Sequence, residues 1–323
     1  MVRLRTSHPG APGIRRRRSG RGFAYIDASG SVIRDPDVRA RIDALVIPPA
    51  WQDVWISPDP LGHIQATGVD AAGRKQYLYH ADWRARMDRV KFARSLELAA
   101  SLPRARRGVT RALREAEPTR SRALAAAFRL LDTVAPRVGG ERYLQLHGTH
   151  GLATLLCGHA TVSATGTISL CFPGKSGQEW EAELVDSDLA HVLRSLKRRG
   201  ADEPLLAWRD GDRWRCLSTE EINADVRERL GADFTAKDFR TLRGGVVASQ
   251  ALARAGAPAT ATAAKKAISA AVAETASVLG NTPAIARSSY IDPRIIDLYR
   301  AGEVARRATG PAAETALREL LGA

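Results

Sequence analysis

Apolar positions along the chain fall into two regimes. From Phe23 they form short runs of the kind that strands use: Phe23-Ala-Tyr-Ile, Ser31-Val-Ile, Val54-Trp-Ile-Ser, His63-Ile-Gln-Ala-Thr and Gln76-Tyr-Leu-Tyr. Between them stand Asp27-Ala-Ser-Gly30, Pro58-Asp-Pro-Leu-Gly62 and Asp70-Ala-Ala-Gly73, rich in the residues that tight turns need. This spacing predicts a small antiparallel sheet over residues 23–83. From about Arg84 the period becomes helical, and Pro103 and Pro118 serve as breakers within a basic helical pair. Alternation returns at 160–185, where Thr161 to Phe172, a turn at Pro173-Gly-Lys-Ser-Gly177 and Glu179-Trp-Glu-Ala-Glu-Leu predict a hairpin or three-stranded ribbon. Helices resume from Asp188 and include an Ala-rich stretch at 247–279. Thr282-Pro283 supplies the cap and first-turn proline of a last helix that Pro293 ends. The expected class is α+β: a β-rich N-terminal domain (23–83) followed by a mainly helical one (84–323), with no internal repeat.

Composition changes this picture at one end. Residues 1–22 hold seven arginines and no acid among Gly, Pro and Ser, which predicts a disordered basic arm. Over all 323 residues, 49 Lys and Arg face 35 Asp and Glu, a net charge of +14. That balance points to a polyanionic partner and away from acidic ones. No stretch reaches the roughly 20 apolar residues of a membrane span, and the Arg-rich start lacks the apolar core of a secretory signal. Three cysteines, Cys157, Cys171 and Cys216, make no disulfide framework and suit a reducing compartment.

Five local features carry candidate chemistry: Arg137 in Pro136-Arg-Val-Gly-Gly-Glu-Arg-Tyr143, Lys175 in Phe172-Pro-Gly-Lys-Ser-Gly177, Arg240 in Lys237-Asp-Phe-Arg-Thr241, Asn281 in Leu279-Gly-Asn-Thr-Pro283 and Tyr290 in Arg287-Ser-Ser-Tyr-Ile-Asp-Pro293. In this order they resemble the type IB DNA topoisomerases of the poxviral and bacterial kind. The resemblance takes in Ile47-Pro-Pro-Ala-Trp51 and Gly73-Arg-Lys-Gln-Tyr-Leu-Tyr79, and so runs from about Phe23 to Tyr299. It implies a monomer that clamps double-stranded DNA, needs neither metal nor cofactor, and works in the cytoplasm with the nucleoid. Tyr290 becomes the nucleophile, Arg137 and Arg240 the stabilisers of the phosphorane-like transition state, Lys175 the general acid and Asn281 a hydrogen-bond donor to a non-bridging oxygen.

These side chains suit those roles. A phenol with a pKa of about 10 needs neighbouring cations to favour phenolate. Guanidinium forks match the charge on phosphate oxygens, and an ammonium can protonate a departing 5′-oxygen. The chain departs from the family at Asn281, where His is more common, and at Thr241-Leu-Arg-Gly-Gly245. Tyr299 is a second tyrosine within ten positions of Tyr290. Tyr143 matches a family position near the scissile phosphate, with a buried core tyrosine as the other reading.

In the first domain the resemblance places Gln76, Tyr77 and Tyr79 in the major groove and Arg74 and Lys75 on phosphates. Strand alternation puts Gln76 with Leu78, opposite Tyr77. Two motifs have competing readings. Gly174-Lys-Ser suggests a nucleotide loop, but Ser169 stands where that loop requires Gly, and strand alternation follows where it requires a helix. His147, His150, Cys157 and His159 cluster without a familiar zinc spacing. The rivals at the level of function are a tyrosine recombinase, which shares the five roles, and a non-catalytic DNA-binding protein. Lys237-Asp-Phe-Arg240 lacks the histidine that recombinases place shortly before this arginine.

Overall fold

Four consecutive arginines lie in an interior strand of a sheet. In the computed structural model, which describes residues 3–323 apart from the side chain of Ser176, β1 (Ile14–Ser19) pairs with β2 (Gly22–Ile26) on one side and with β3 (Gln52–Ile56) on the other. Before β3 comes a helix, α1 (Pro36–Ala44), capped by Asp35; β4 (Ile64–Val69) and β5 (Lys75–Tyr79) then complete the antiparallel order β2-β1-β3-β4-β5. The disorder expected for 1–22 is therefore corrected for the described residues of that segment. Ile14 is buried with Tyr25, Ile42, Val54, Ile56 and Ala66. Arg16 lays its guanidinium 4.1 Å from the Phe23 ring centroid and donates to the carbonyls of Ile47, Pro48 and Trp51. Its stem packs while its head is satisfied, so the arginine run can lie across a small core.

The chain divides into two compact units, Met1–Val90 and Lys91–Ala323, a later boundary than the expected 83/84 and one that includes the arginine-rich start in the first unit. The boundary falls inside α2 (Ala81–Leu113), which continues through Pro103. A proline removes one backbone hydrogen bond and crowds the preceding turn, but Leu98, Leu102, Ala105 and Val109 are buried on both sides of it, and that packing holds the helix together. Pro118 does separate α2 from α3 (Arg120–Val134), as expected.

In the second unit, α4 (Glu141–His147) precedes the ribbon β6 (Ala160–Val162), β7 (Thr167–Pro173) and β8 (Glu179–Val185), the three strands that alternation predicts. Helix α5 (Ser187–Lys197) leads to a two-stranded hairpin absent from the sequence reading, β9 (Ala207–Asp210) with β10 (Arg213–Cys216). Helices α6 (Thr219–Leu230), α7 (Ala236–Ala255), α8 (Ala261–Leu279), α9 (Pro283–Ser289), α10 (Pro293–Arg300) and α11 (Pro311–Leu320) complete it. The core runs through α2, α3 and α7, where Phe128 and Phe239 meet edge to face at 5.3 Å. Among the described residues, no helix is long and apolar enough to cross a membrane.

Candidate active site

Arg240 is buried on α7 and is spent on the ends of two other helices. Its Nη1 donates to the Ala135 carbonyl at 2.8 Å and its Nη2 to the Leu279 carbonyl at 2.7 Å. Ala135 is the left-handed cap of α3 and Leu279 is the last residue of α8. Carbonyls at helix C-termini lack intrahelical donors and carry the negative end of the helix dipole, so a buried cation is well placed there. Arg137 follows Ala135 by two residues, and Asn281 follows Leu279 by two. One guanidinium thus fixes where both loops leave their helices, and Arg137 Nη2 then donates to Asn281 Oδ1.

That bond orients the Asn281 amide. With Oδ1 occupied, Nδ2 is the remaining donor, and it is buried with no protein partner. Arg240 Nε is in the same condition. Buried donors are nearly always satisfied, so each of these atoms is open to an acceptor.

Tyr290 caps α9 and is 7% exposed, with the Arg240 guanidinium carbon 5.2 Å from its ring centroid. Burial alone pushes its phenol upward, but the charge of Arg240, a hydrogen bond from that guanidinium and the charges of Arg137 and Lys237 outweigh this and leave it below its ordinary value. Arg240 is itself lowered by burial, partly offset by Tyr290 and reinforced by Arg137. Tyr299, the other candidate, is 2% exposed in the hydrophobic core of α10.

Lys175 sits at the tip of the β7–β8 hairpin, in a single 3-10 turn that begins after Gly174. With Arg137, His150, Glu179, Trp180 and Gly280 it lines a cavity of about 20 Å³. Gly280 is required there: it is left-handed at φ +58°, and a Cβ would lie 2.5 Å from Trp180 Cδ1. The structure therefore brings together Tyr290, Arg240, Arg137, Asn281 and, across this cavity, Lys175.

Sequence reasoning missed three neighbours. Lys237 precedes Arg240 by three residues, which on a helix is the same face, a signal present in the quoted motif. His150 and Trp180 gave none, since nothing in the local pattern separates an aromatic beside a site from one in the core. In the histidine cluster considered for zinc, His150 Nδ1 meets the Thr154 carbonyl, His159 Nδ1 accepts from the Leu156 amide and Cys157 Sγ donates to the Leu196 carbonyl. Those ligand atoms are engaged with backbone.

In the first unit, Lys75, Tyr77 and Tyr79 occupy the exposed face of β5, and the two tyrosine rings stack at 6.0 Å. Gln76 is on the other face and donates to Asp70 at 2.8 Å, so it does not join them. Asp70 also accepts from the Arg74 amide and ion-pairs with Arg74; these bonds, the Arg74 amide first, hold its carboxyl at about 2. Tyr143 on α4 is 60% exposed, which removes the core-tyrosine reading.

A phenol lowered by fixed cations, with buried donors and a lysine in the surrounding loops, is a site suited to moving a phosphoryl group onto tyrosine and back. The family model for the eukaryotic DNA topoisomerase I catalytic core matches residues 80–300, and that for the bacterial DNA topoisomerase IB N-terminal domain matches residues 22–70. DNA topoisomerase 1B of Acanthamoeba polyphaga mimivirus is 30% identical over 296 residues, covering 89% of this chain and 88% of that protein. DNA topoisomerase 1 of Mycosarcoma maydis is 28% identical over 194 residues, 54% of this chain and 19% of that much longer protein. The chain belongs to the type IB DNA topoisomerase family: it is a type I topoisomerase, and its substrate is DNA.

Proposed function

We propose that the enzyme relaxes supercoiled duplex DNA without a metal or a nucleotide, by cutting one strand through a 3′-phosphotyrosyl link at Tyr290. The observation that carries this reading is the convergence of the Tyr290 phenol with Arg240, Arg137 and the amide of Asn281. Tyr290 Oη attacks phosphorus as its proton leaves to water. The P–O5′ bond breaks, and O5′ takes a proton from Lys175 Nζ. Charge on the non-bridging oxygens meets Arg137, Arg240 Nε and Asn281 Nδ2, which is where preorganised donors lower the barrier. The cut duplex swivels about the intact strand, and the 5′-hydroxyl then attacks the phosphotyrosine and reseals the nick, so that the phosphodiester energy is kept.

Tyr77 and Tyr79 supply aromatic contacts in the major groove, and Arg74, Lys75 and Tyr143 contact the backbone. The enzyme acts as a monomer whose two units close around the duplex, at the nucleoid. Relaxation of plasmid in chelator without ATP, and recovery of a Tyr290 peptide joined to a suicide-nicked duplex, test the reading. Relaxation by Tyr290→Phe, or strict dependence on magnesium, overturns it.

A further inference from the structure

The segment that starts at His150 is bonded to both loops that carry the cations of the site. The His150 amide donates to the Pro173 carbonyl at 2.8 Å, which holds the strand end from which Lys175 projects. Two residues on, the Leu152 amide donates to the Arg137 carbonyl at 2.8 Å and fixes the other loop. The side chain is equally constrained. Nδ1 lies 2.6 Å from the Thr154 carbonyl, an atom that can only accept, so Nδ1 carries the proton and Nε2 of the neutral ring is an acceptor. The ring packs edge-on against His159 at 4.4 Å. Burial first, and then His150, lowers the pKa of His159, so the pair resists a double charge.

His150 lines the same cavity as Lys175, yet no hydrogen bond joins them among the described residues. The space between them, about 20 Å³, suits one water, which needs roughly 10–15 Å³ and two to four polar partners. Trp180 lines this cavity as well, and its indole N–H is buried without a protein partner. An acceptor, an unpaired donor and an ammonium thus line one water-sized space, together with Arg137, Gln178 and Glu179.

We propose that His150 is a positioning residue for Lys175: it holds the ammonium toward the departing 5′-oxygen through one water shared by His150 Nε2, Trp180 Nε1 and Lys175 Nζ. This rests on the assignment of Lys175 as the acid in the reading above. When the P–O5′ bond breaks, the oxygen takes a proton from Nζ, and the amine left behind stays in place because the water still joins it to the imidazole and indole.

The test replaces the bridging 5′-oxygen of a suicide duplex with sulfur. A thiolate leaves without a proton, so a defect that acts through Lys175 disappears on that substrate. His150→Phe is expected to cleave the oxygen duplex about tenfold more slowly, a part of the roughly 10²–10⁴-fold that a general acid contributes, and to cleave the sulfur duplex at the wild-type rate. Trp180→Phe, which removes the N–H, is expected to show the same selectivity and gives the answer if His150→Phe does not fold. His150→Gln, whose amide can both donate to Thr154 and accept, is expected to recover most of the oxygen rate. Equal slowing on both substrates, or no slowing on oxygen, overturns the proposal. Wild-type enzyme that forms no adduct on either substrate defeats the phosphotyrosyl reading instead, so the two failures are distinct.

Discussion

Gly244 of α7 touches Tyr290 backbone to backbone: a Cβ placed on Gly244 would lie 2.6 Å from the Tyr290 carbonyl oxygen and 2.7 Å from its Cβ. Gly244 is one helical turn beyond Arg240, so the absence of a side chain there lets the tyrosine settle against the arginine. Gly244→Ala must push them apart. Strand cleavage on a suicide duplex should fall at least tenfold, with a stability loss of about 1–3 kcal/mol from overpacking seen in thermal melting.

Arg240→Lys keeps a charge but cannot span the carbonyls of Ala135 and Leu279 with a planar fork. At least one buried carbonyl loses its donor, at a cost of about 1–3 kcal/mol. The melting temperature should drop together with cleavage, and the rate loss should exceed what the lost stability explains.

The Tyr290 phenol lies below its ordinary value because cations outweigh burial. Single-turnover cleavage should therefore rise with pH and level off below pH 10. Lys237→Gln removes one of those charges and should move the rising limb to higher pH. Stability follows the same sign. The folded state holds this proton less tightly than the unfolded chain, so the gain is complete only above the unfolded value near 10 and is lost as pH falls through the folded one.

On β5, Tyr77→Ala and Tyr79→Ala should weaken duplex binding several-fold, since both rings are exposed and stacked. Gln76→Ala should change affinity less than either, because its amide is engaged with Asp70 on the opposite face. Equilibrium binding of a non-cleavable duplex by the Tyr290→Phe background checks the order.

Removal of residues 1–22 should unfold the first unit and not simply trim a tail, because β1 contributes Ile14 to its core and pairs with both neighbours. The truncated chain should lose a cooperative melting transition and the hydrogen-exchange protection of β3.

That truncation marks where the sequence misled. A run of arginines flanked by Gly and Ser carries no apolar alternation, and strand propensity does not reveal that Arg16 can bury its stem on Phe23 and spend its head on three carbonyls. Helix α1 and the β9–β10 hairpin were missed for a related reason: each is short, polar and largely exposed, and tertiary contacts decide them. The ribbon at 160–185 was legible because alternation there is strong, and Thr282-Pro283 because the cap bond to the Ile285 amide is local chemistry. The site was legible as a set of motifs. What motifs could not carry was that Arg240 is structural as well as charged, since its two carbonyl partners lie far from it in sequence.

The position of β1 constrains how the first unit comes into being. The hairpin with β2 can form as soon as both are synthesised, but β1 finds its second neighbour, β3, with Ile14 opposite Ile56, only after the intervening helix and loop have been made. A nascent chain therefore holds an arginine-studded ribbon with one open edge, and the positive charge along that edge discourages it from pairing with another copy before β3 arrives.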